Sequence, residues 1–176
     1  TISYNNATSS LAKVGDVVTL SITASESIQT PTVSIGGIAA TVSGSGSTYT
    51  ATATMTSSVT SGTITYSINY SDLSGNAGTQ VTSTTNSSAV TFDKTAPTLS
   101  AVTISSNNAT STLAKEGDVI TLSITASESI QTPTVSIGGI AATLSESGST
   151  YTATATTTSS VSNGTITFTV NYSDLS

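Results

Sequence analysis

The chain contains no cysteine, no histidine and no tryptophan. Disulfides are therefore excluded, and so are zinc sites built from Cys and His. A Ser-His or Cys-His nucleophile pair cannot be assembled. Charge is sparse: 3 Lys plus Arg stand against 9 Asp plus Glu, a net charge of −6 over 176 residues. With no basic patch to neutralise phosphates, no nucleic-acid partner is expected. No basic amphipathic stretch suits a membrane surface, and no apolar run approaches the ~18–20 residues of a spanning helix, so no membrane insertion is expected in this segment. No signal peptide is present, but the chain opens partway through a repeated pattern, so its absence says nothing about export. Apart from ordinary carboxylates nothing can serve as a base near neutral pH, and an enzyme is not expected.

What is present is Ser and Thr, roughly two residues in five, in a chain written nearly twice. Leu11-Ala12-Lys13 recurs as Leu113-Ala114-Lys115, an offset of 102 residues, and Thr1–Ser74 lies over Thr103–Ser176 without a gap and with 12 differences in 74 positions. A step of that length is the size of a whole domain rather than a solenoid repeat.

Low charge and abundant Ser/Thr could signal disorder or a mucin-like stalk, but strict alternation argues for half-buried strands. Every second residue is apolar in Val18-Thr19-Leu20-Ser21-Ile22-Thr23-Ala24, in Ile64-Thr65-Tyr66-Ser67-Ile68-Asn69-Tyr70 and in Ile166-Thr167-Phe168-Thr169-Val170-Asn171-Tyr172. Tyr49-Thr50-Ala51-Thr52-Ala53-Thr54 alternates with small inward residues. Gly15-Asp16, Thr30-Pro31, Gly36-Gly37, Gly44-Ser45-Gly46 and Ser74-Gly75-Asn76 punctuate these runs. About seven short strands per hundred residues, with no helical period, predict an all-β fold of tandem immunoglobulin-like antiparallel β-sandwiches. In immunoglobulin lettering, A covers Thr1–Asn5 and, more fully, Thr98–Asn107. B covers Asp16–Ser25, C Thr32–Ile35, C′ Ala39–Ser43, E Thr48–Thr56 and F Gly62–Tyr70, with G inside Thr79–Phe92. The domains are expected at 1–93 and 94–176, joined by Asp93-Lys94-Thr95-Ala96-Pro97, where Pro97 stiffens the link. The first copy should lack the start of strand A and the second its strand G, which would leave an unpaired edge and an open core.

The differences between copies fit this picture. Val18→Ile120, Val42→Leu144, Tyr66→Phe168 and Ile68→Val170 keep an inward apolar side chain of similar shape. Val14→Glu116 and Gly44→Glu146 add charge, which places them outside. Met55→Thr157 indicates a strand end at the core margin.

Ser25-Glu26 before Pro31-Thr32-Val33, then Ile35-Gly36-Gly37 with Ala39-Ala40-Thr41, Asp72-Leu73-Ser74-Gly75-Asn76-Ala77-Gly78 and Phe92-Asp93-Lys94-Thr95-Ala96-Pro97 form a pattern. It resembles the bacterial immunoglobulin-like (Big-type) tandem repeat domains of very large surface proteins and adhesins. The resemblance covers essentially the whole chain. Such relatives more often carry a second Thr where Lys94 stands. The resemblance implies an extracellular, multi-repeat extender at the bacterial cell surface, often with calcium at domain junctions; it supplies no receptor.

Three acids recur at matched sites: Asp16/Asp118, Glu26/Glu128 and Asp72/Asp174. Sandwich topology expects Glu128 (B–C loop) and Asp174 (F–G loop) at the pole where the chain enters the second domain, with Asp93 in the arriving link and Asp16 (A–B loop) at the exit pole of the first. Four such carboxylates repel unless a cation joins them, and Ca2+, which takes 6–8 hard oxygen ligands, suits them. Glu26 and Asp72, with Asn76 nearby, form the equivalent site at the start of the first repeat. The simpler alternative is that Asp72, Asp174 and Asp16 organise their own turns.

Other signals have ordinary explanations. The ladder Thr50, Thr52, Thr54 and its copy Thr152, Thr154, Thr156 resembles flat ice-binding arrays, but outward Thr is common on strands. Asn-x-Ser/Thr occurs at Asn6, Asn69, Asn86, Asn108, Asn163 and Asn171, as chance allows in so Ser/Thr-rich a chain. Lys13 and Lys115 sit in loops reading Leu-Ala-Lys before Gly-Asp and read as solvated rather than cross-linked, and Tyr70 and Tyr172 as edge-of-core residues. The function expected is a non-catalytic structural repeat, a spacer rod stiffened at its junctions, whose partners are further copies of the same repeat in the same chain. One alternative is a self-assembling filament subunit, a homo-polymer completed by strand donation from a neighbouring chain. The other is a glycan- or protein-binding module, for which 6 Tyr, 2 Phe and no Trp offer little stacking surface.

Overall fold

The computed structural model describes residues 1–5 and 11–176; the Asn-x-Thr at Asn6 lies outside them. The fold is all-β, with strands paired antiparallel except for one short parallel pair, and no described residue is helical. Two compact units divide the chain, Thr1–Thr95 together with Ser176, and Ala96–Leu175.

Unit 1 contains β1 (Ile2–Tyr4), β2 (Leu11–Ala12), β3 (Val17–Thr23), β4 (Thr32–Ile35), β5 (Ile38–Ala39), β6 (Thr41–Ser45), β7 (Thr48–Thr54), β8 (Gly62–Thr63), β9 (Tyr66–Asn69) and β10 (Thr91–Phe92). One sheet has the order β1-β3-β7-β6; facing it are β5-β4-β9 and the three-stranded β2-β10-β8. Alternation in β3 and β7 puts Val18, Leu20, Tyr49, Ala51 and Ala53 into the core and leaves Thr19, Thr50 and Thr52 on the outer face. The core closes on Ile35, Ile68, Val90 and Phe92 from the opposite sheet. Each such fully buried aliphatic or Phe side chain is worth about 1.5–3 kcal/mol relative to exposure.

Four details differ from the expectation, the first being that the run expected as strand F, Gly62–Tyr70, is divided into β8, paired with β10, and β9, paired with β4. Leu11-Ala12 is not a loop: β2 pairs in parallel with β10, while β1 pairs antiparallel with β3, so strand A is split between the two sheets. The run expected as one strand, Ala39–Ser43, changes sheet at Ala40: β5 pairs with β4, β6 pairs with β7, and the Ala40 N–H donates to Val33 O at 2.9 Å. Gly36-Gly37 does not merely end a strand. Both glycines have positive φ (60° and 80°) between the paired Ile35 and Ile38, the geometry of a two-residue type I′ hairpin.

Unit 2 contains β11 (Leu99–Ser106), β12 (Val119–Ala126), β13 (Thr134–Ile137), β14 (Ile140–Ala141), β15 (Thr143–Ser147), β16 (Thr150–Thr156) and β17 (Phe168–Asn171). Its sheets are β11-β12-β16-β15 and β14-β13-β17. Its core holds Leu122, Ile124, Ile137, Tyr151 and Ala153. Strand β12 alternates without interruption, because β11 pairs with it from Leu99 to Ser106 across one bulge; in unit 1 only Ile2–Tyr4 cover β3. Glu116 and Glu146 are exposed. Met55, by contrast, is not marginal: it is 1% exposed, and Thr157 in its place is 8% exposed. The Thr157 hydroxyl is satisfied there by donating to Lys115 O at 2.6 Å and lying 3.0 Å from Asp118 O.

Candidate functional site

The acidic positions fall into two kinds. Asp16 and Asp118 close the turns that lead into β3 and β12. The Lys13 N–H donates to Asp16 Oδ2 at 3.0 Å, and the Lys115 N–H to Asp118 Oδ2 at 2.9 Å. Asn108 Nδ2 adds a bond of 2.8 Å to Asp118 Oδ2, and this, with the Lys115 N–H, holds the Asp118 carboxyl below the usual carboxylate range. Asp93 Oδ1 accepts from the Thr95 N–H at 2.9 Å, an Asx-turn in the link.

Asp72 and Asp174 sit in single-residue bridges with Ile28 and Ile130, tying the loop after β3 or β12 to the segment after β9 or β17. Asp72 is also a turn organiser. Its Oδ2 accepts from Asn76 Nδ2 at 2.7 Å and its Oδ1 from the Asn76 N–H at 2.8 Å, and these bonds lower its pKa. The amide singled out in the sequence thus engages the acid itself. Glu26 is exposed, whereas its copy Glu128 is half-buried. In unit 2 the Ser127 N–H donates to Thr98 O at 2.8 Å, so the strand leading into β11 covers that loop.

Within unit 1, Glu26, Asp72 and Asn76 border a cleft of about 530 Å³ that reaches Tyr66, Tyr70 and Val81. Burial of the Tyr66 hydroxyl raises its pKa, an effect opposed by the neighbouring Thr84 hydroxyl. Tyr70 is partly buried against the core, as an edge residue would be, while Tyr172 is 37% exposed. Two carboxylates fall short of the 6–8 oxygens that calcium takes. Among the described residues no three acidic side chains are grouped together.

Two structural contacts gave little signal in the sequence. Tyr49 Oη donates to Ile28 O at 2.9 Å and Tyr151 Oη to Ile130 O at 3.2 Å, pinning the same loop from inside each core. Lys94, visible in the sequence only as a charge beside Asp93, donates through Nζ to Ser57 O at 3.0 Å and Val59 O at 2.9 Å. A comparison with protein-family models, one with curated proteins and one with solved structures found no match.

Proposed function

We propose that this chain is a non-catalytic structural repeat of an extracellular bacterial surface protein or adhesin, in which tandem sandwiches act as a spacer rod. The observation that carries this is the pairing of sequence repeat and structural unit: two copies 102 residues apart each build a two-sheet core from their own strands. A unit with a core of its own can be added in tandem without redesign of its neighbours. The resemblance to Big-type repeats points the same way. The proposal includes stiffening by calcium, with Asp93, Glu128, Asp174 and Asp16 as junction ligands and Glu26 and Asp72 at the start of the first repeat.

Small-angle scattering of the whole chain, with calcium and with a chelator, tests both parts. A spacer requires an elongated particle close to two units long; a folded-back, near-spherical pair would sink it. If the melting temperature and particle length do not respond to calcium, the calcium component falls and the spacer remains.

A further inference from the structure

In unit 1 two stretches of chain pair at two points with unequal lengths between them. Ile68 and Val81 exchange backbone bonds, the Ile68 N–H donating to Val81 O at 2.9 Å and the Val81 N–H to Ile68 O at 3.1 Å. The Ile64 N–H donates to Val90 O at 2.8 Å. The chain advances four residues from Ile64 to Ile68 and nine from Val81 to Val90. The excess is forced out of the pairing as a bulge, a loop over residues 82–89.

This loop is held by its own bonds. Thr84 Oγ1 donates to Ser88 O at 2.9 Å. Asn86 Oδ1 accepts from the Ser88 N–H at 3.2 Å and from the Ser88 hydroxyl at 2.8 Å, an Asx-turn. The Ser88 hydroxyl in turn accepts from the Ile2 N–H at 3.0 Å, which leaves its hydrogen for Asn86. Ser87, at the tip, has a φ of 57° and is the one non-glycine residue with positive φ among the described residues. Such a conformation is costly and persists where its surroundings fix it. Asn86 and Ser87 are both exposed.

Asn86-Ser87-Ser88 is one of the Asn-x-Ser/Thr triplets, and the structure separates it from the others. Asn69 and Asn171 lie in paired strands, and Asn69 Oδ1 is taken by Gln80 Nε2 at 2.9 Å. Asn108 Nδ2, the atom that would react, is committed to Asp118 Oδ2 at 2.8 Å. Asn163 is exposed, but among the described residues no hydrogen bond links it to Thr165. At Asn86 the bonds of the loop use Oδ1 and not Nδ2.

We infer that Asn86 is the acceptor of an N-linked sugar, taken from a donor that carries a diphosphate on its anomeric carbon. In the transfer the bond from Nδ2 to C1 of the sugar forms, the C1–O bond breaks, and the diphosphate leaves with the bonding pair. One Nδ2 proton passes to a base of the transferase. The two bonds donated to Oδ1 favour that loss, because they stabilise the negative charge that develops on the amide oxygen. The loop leaves from the middle of a strand pairing rather than from its end. A sugar there stands on the side of the sandwich, where a transferase can reach an exposed loop.

The test offers the folded whole chain two donors of this chemistry: UDP-glucose with a soluble asparagine glycosyltransferase, and a polyprenyl-diphosphate oligosaccharide with an oligosaccharyltransferase. Peptide mapping by mass spectrometry follows each Asn. Asn86 should be occupied first, on the order of tenfold faster than Asn69, Asn108, Asn163 or Asn171, and the donor that serves it identifies the carrier. Thr84→Val keeps the triplet but removes a bond that closes the loop, so it should slow transfer to Asn86 severalfold. No sugar at Asn86 from either donor, a rate there no faster than at Asn163, or a Thr84→Val rate equal to the parent's would each overturn the assignment. None of these results bears on the spacer proposal, which is read from particle length.

Discussion

Gly78 lies flat against the Tyr70 ring: a Cβ built on Gly78 would stand 2.3 Å from Tyr70 Cε2 and Cζ. The same two residues are joined through the backbone, the Gly78 N–H donating to Tyr70 O at 2.9 Å. The glycine is needed for close approach, since its φ is not positive. Gly78→Ala should therefore displace the ring and destabilise unit 1 by about 1–3 kcal/mol, measured by urea unfolding. In a Tyr70→Ala background the same substitution should cost almost nothing, because the clash has no partner.

Phe92 lies in β10, the two-residue strand that joins β2 and β8. Phe92→Ala should destabilise unit 1 by about 3–5 kcal/mol. Hydrogen exchange should then accelerate at Leu11–Ala12 and Gly62–Thr63 while the β12–β16 amides of unit 2 keep their protection. Equal acceleration in both units would refute the separation of the cores.

Thr157 replaces a buried methionine with a buried hydroxyl that serves Lys115 O and Asp118 O. Thr157→Val keeps the shape and removes the donor, so unit 2 should lose about 1–3 kcal/mol in denaturant unfolding. A neutral result would mean that water serves those carbonyls equally well.

Asp72 and Asp118 have folded pKa values below the ordinary carboxylate range, Asp72 chiefly through the Asn76 side chain and Asp118 chiefly through the Asn108 side chain. A depressed folded pKa means that the unfolded chain takes up the proton first. The stabilisation is then fully present above the unfolded value of about 3.9 and is lost as pH falls through the folded value. Melting midpoints followed from about pH 6 down to about pH 2 should decline below about pH 4. The decline should be shallower in the Asp72→Asn, Asp118→Asn double variant. A double variant with the same acid limb as the parent would place that stabilisation elsewhere.

Long alternating runs were readable from sequence because their period of two survives any tertiary context: β3, β7, β12 and β16 lie where the Val-Thr-Leu-Ser and Tyr-Thr-Ala-Thr patterns put them. The split of strand A was not readable. Leu11-Ala12 is too short to show a period, and its strand character comes wholly from its partner β10. The sheet change at Ala40 was hidden for the same reason, since alternation through Ala39–Ser43 is blind to which sheet each half joins. Met55 was misplaced because its copy is a Thr, and a polar replacement read as an edge; the structure shows a buried site with acceptors to hand. For the acids, the turn chemistry of Asp16 and Asp72 was legible in the Gly-Asp and Asp-x-x-Gly-Asn spacings, whereas the burial that separates Glu128 from Glu26 comes from a distant strand segment.

The parallel pairing of β2 with β10 has a mechanical consequence. β2 is the second strand of unit 1 and β10 its last, and they run in the same direction side by side. Tension applied to the chain before β2 and after β10 acts along both strands in opposite senses. The bonds between them, including Asp93 N–H to Ala12 O, are then strained together in shear instead of being peeled apart one at a time. A unit clamped in this way resists pulling through its shortest strands, and the buried Phe92 side chain sits directly behind the clamp.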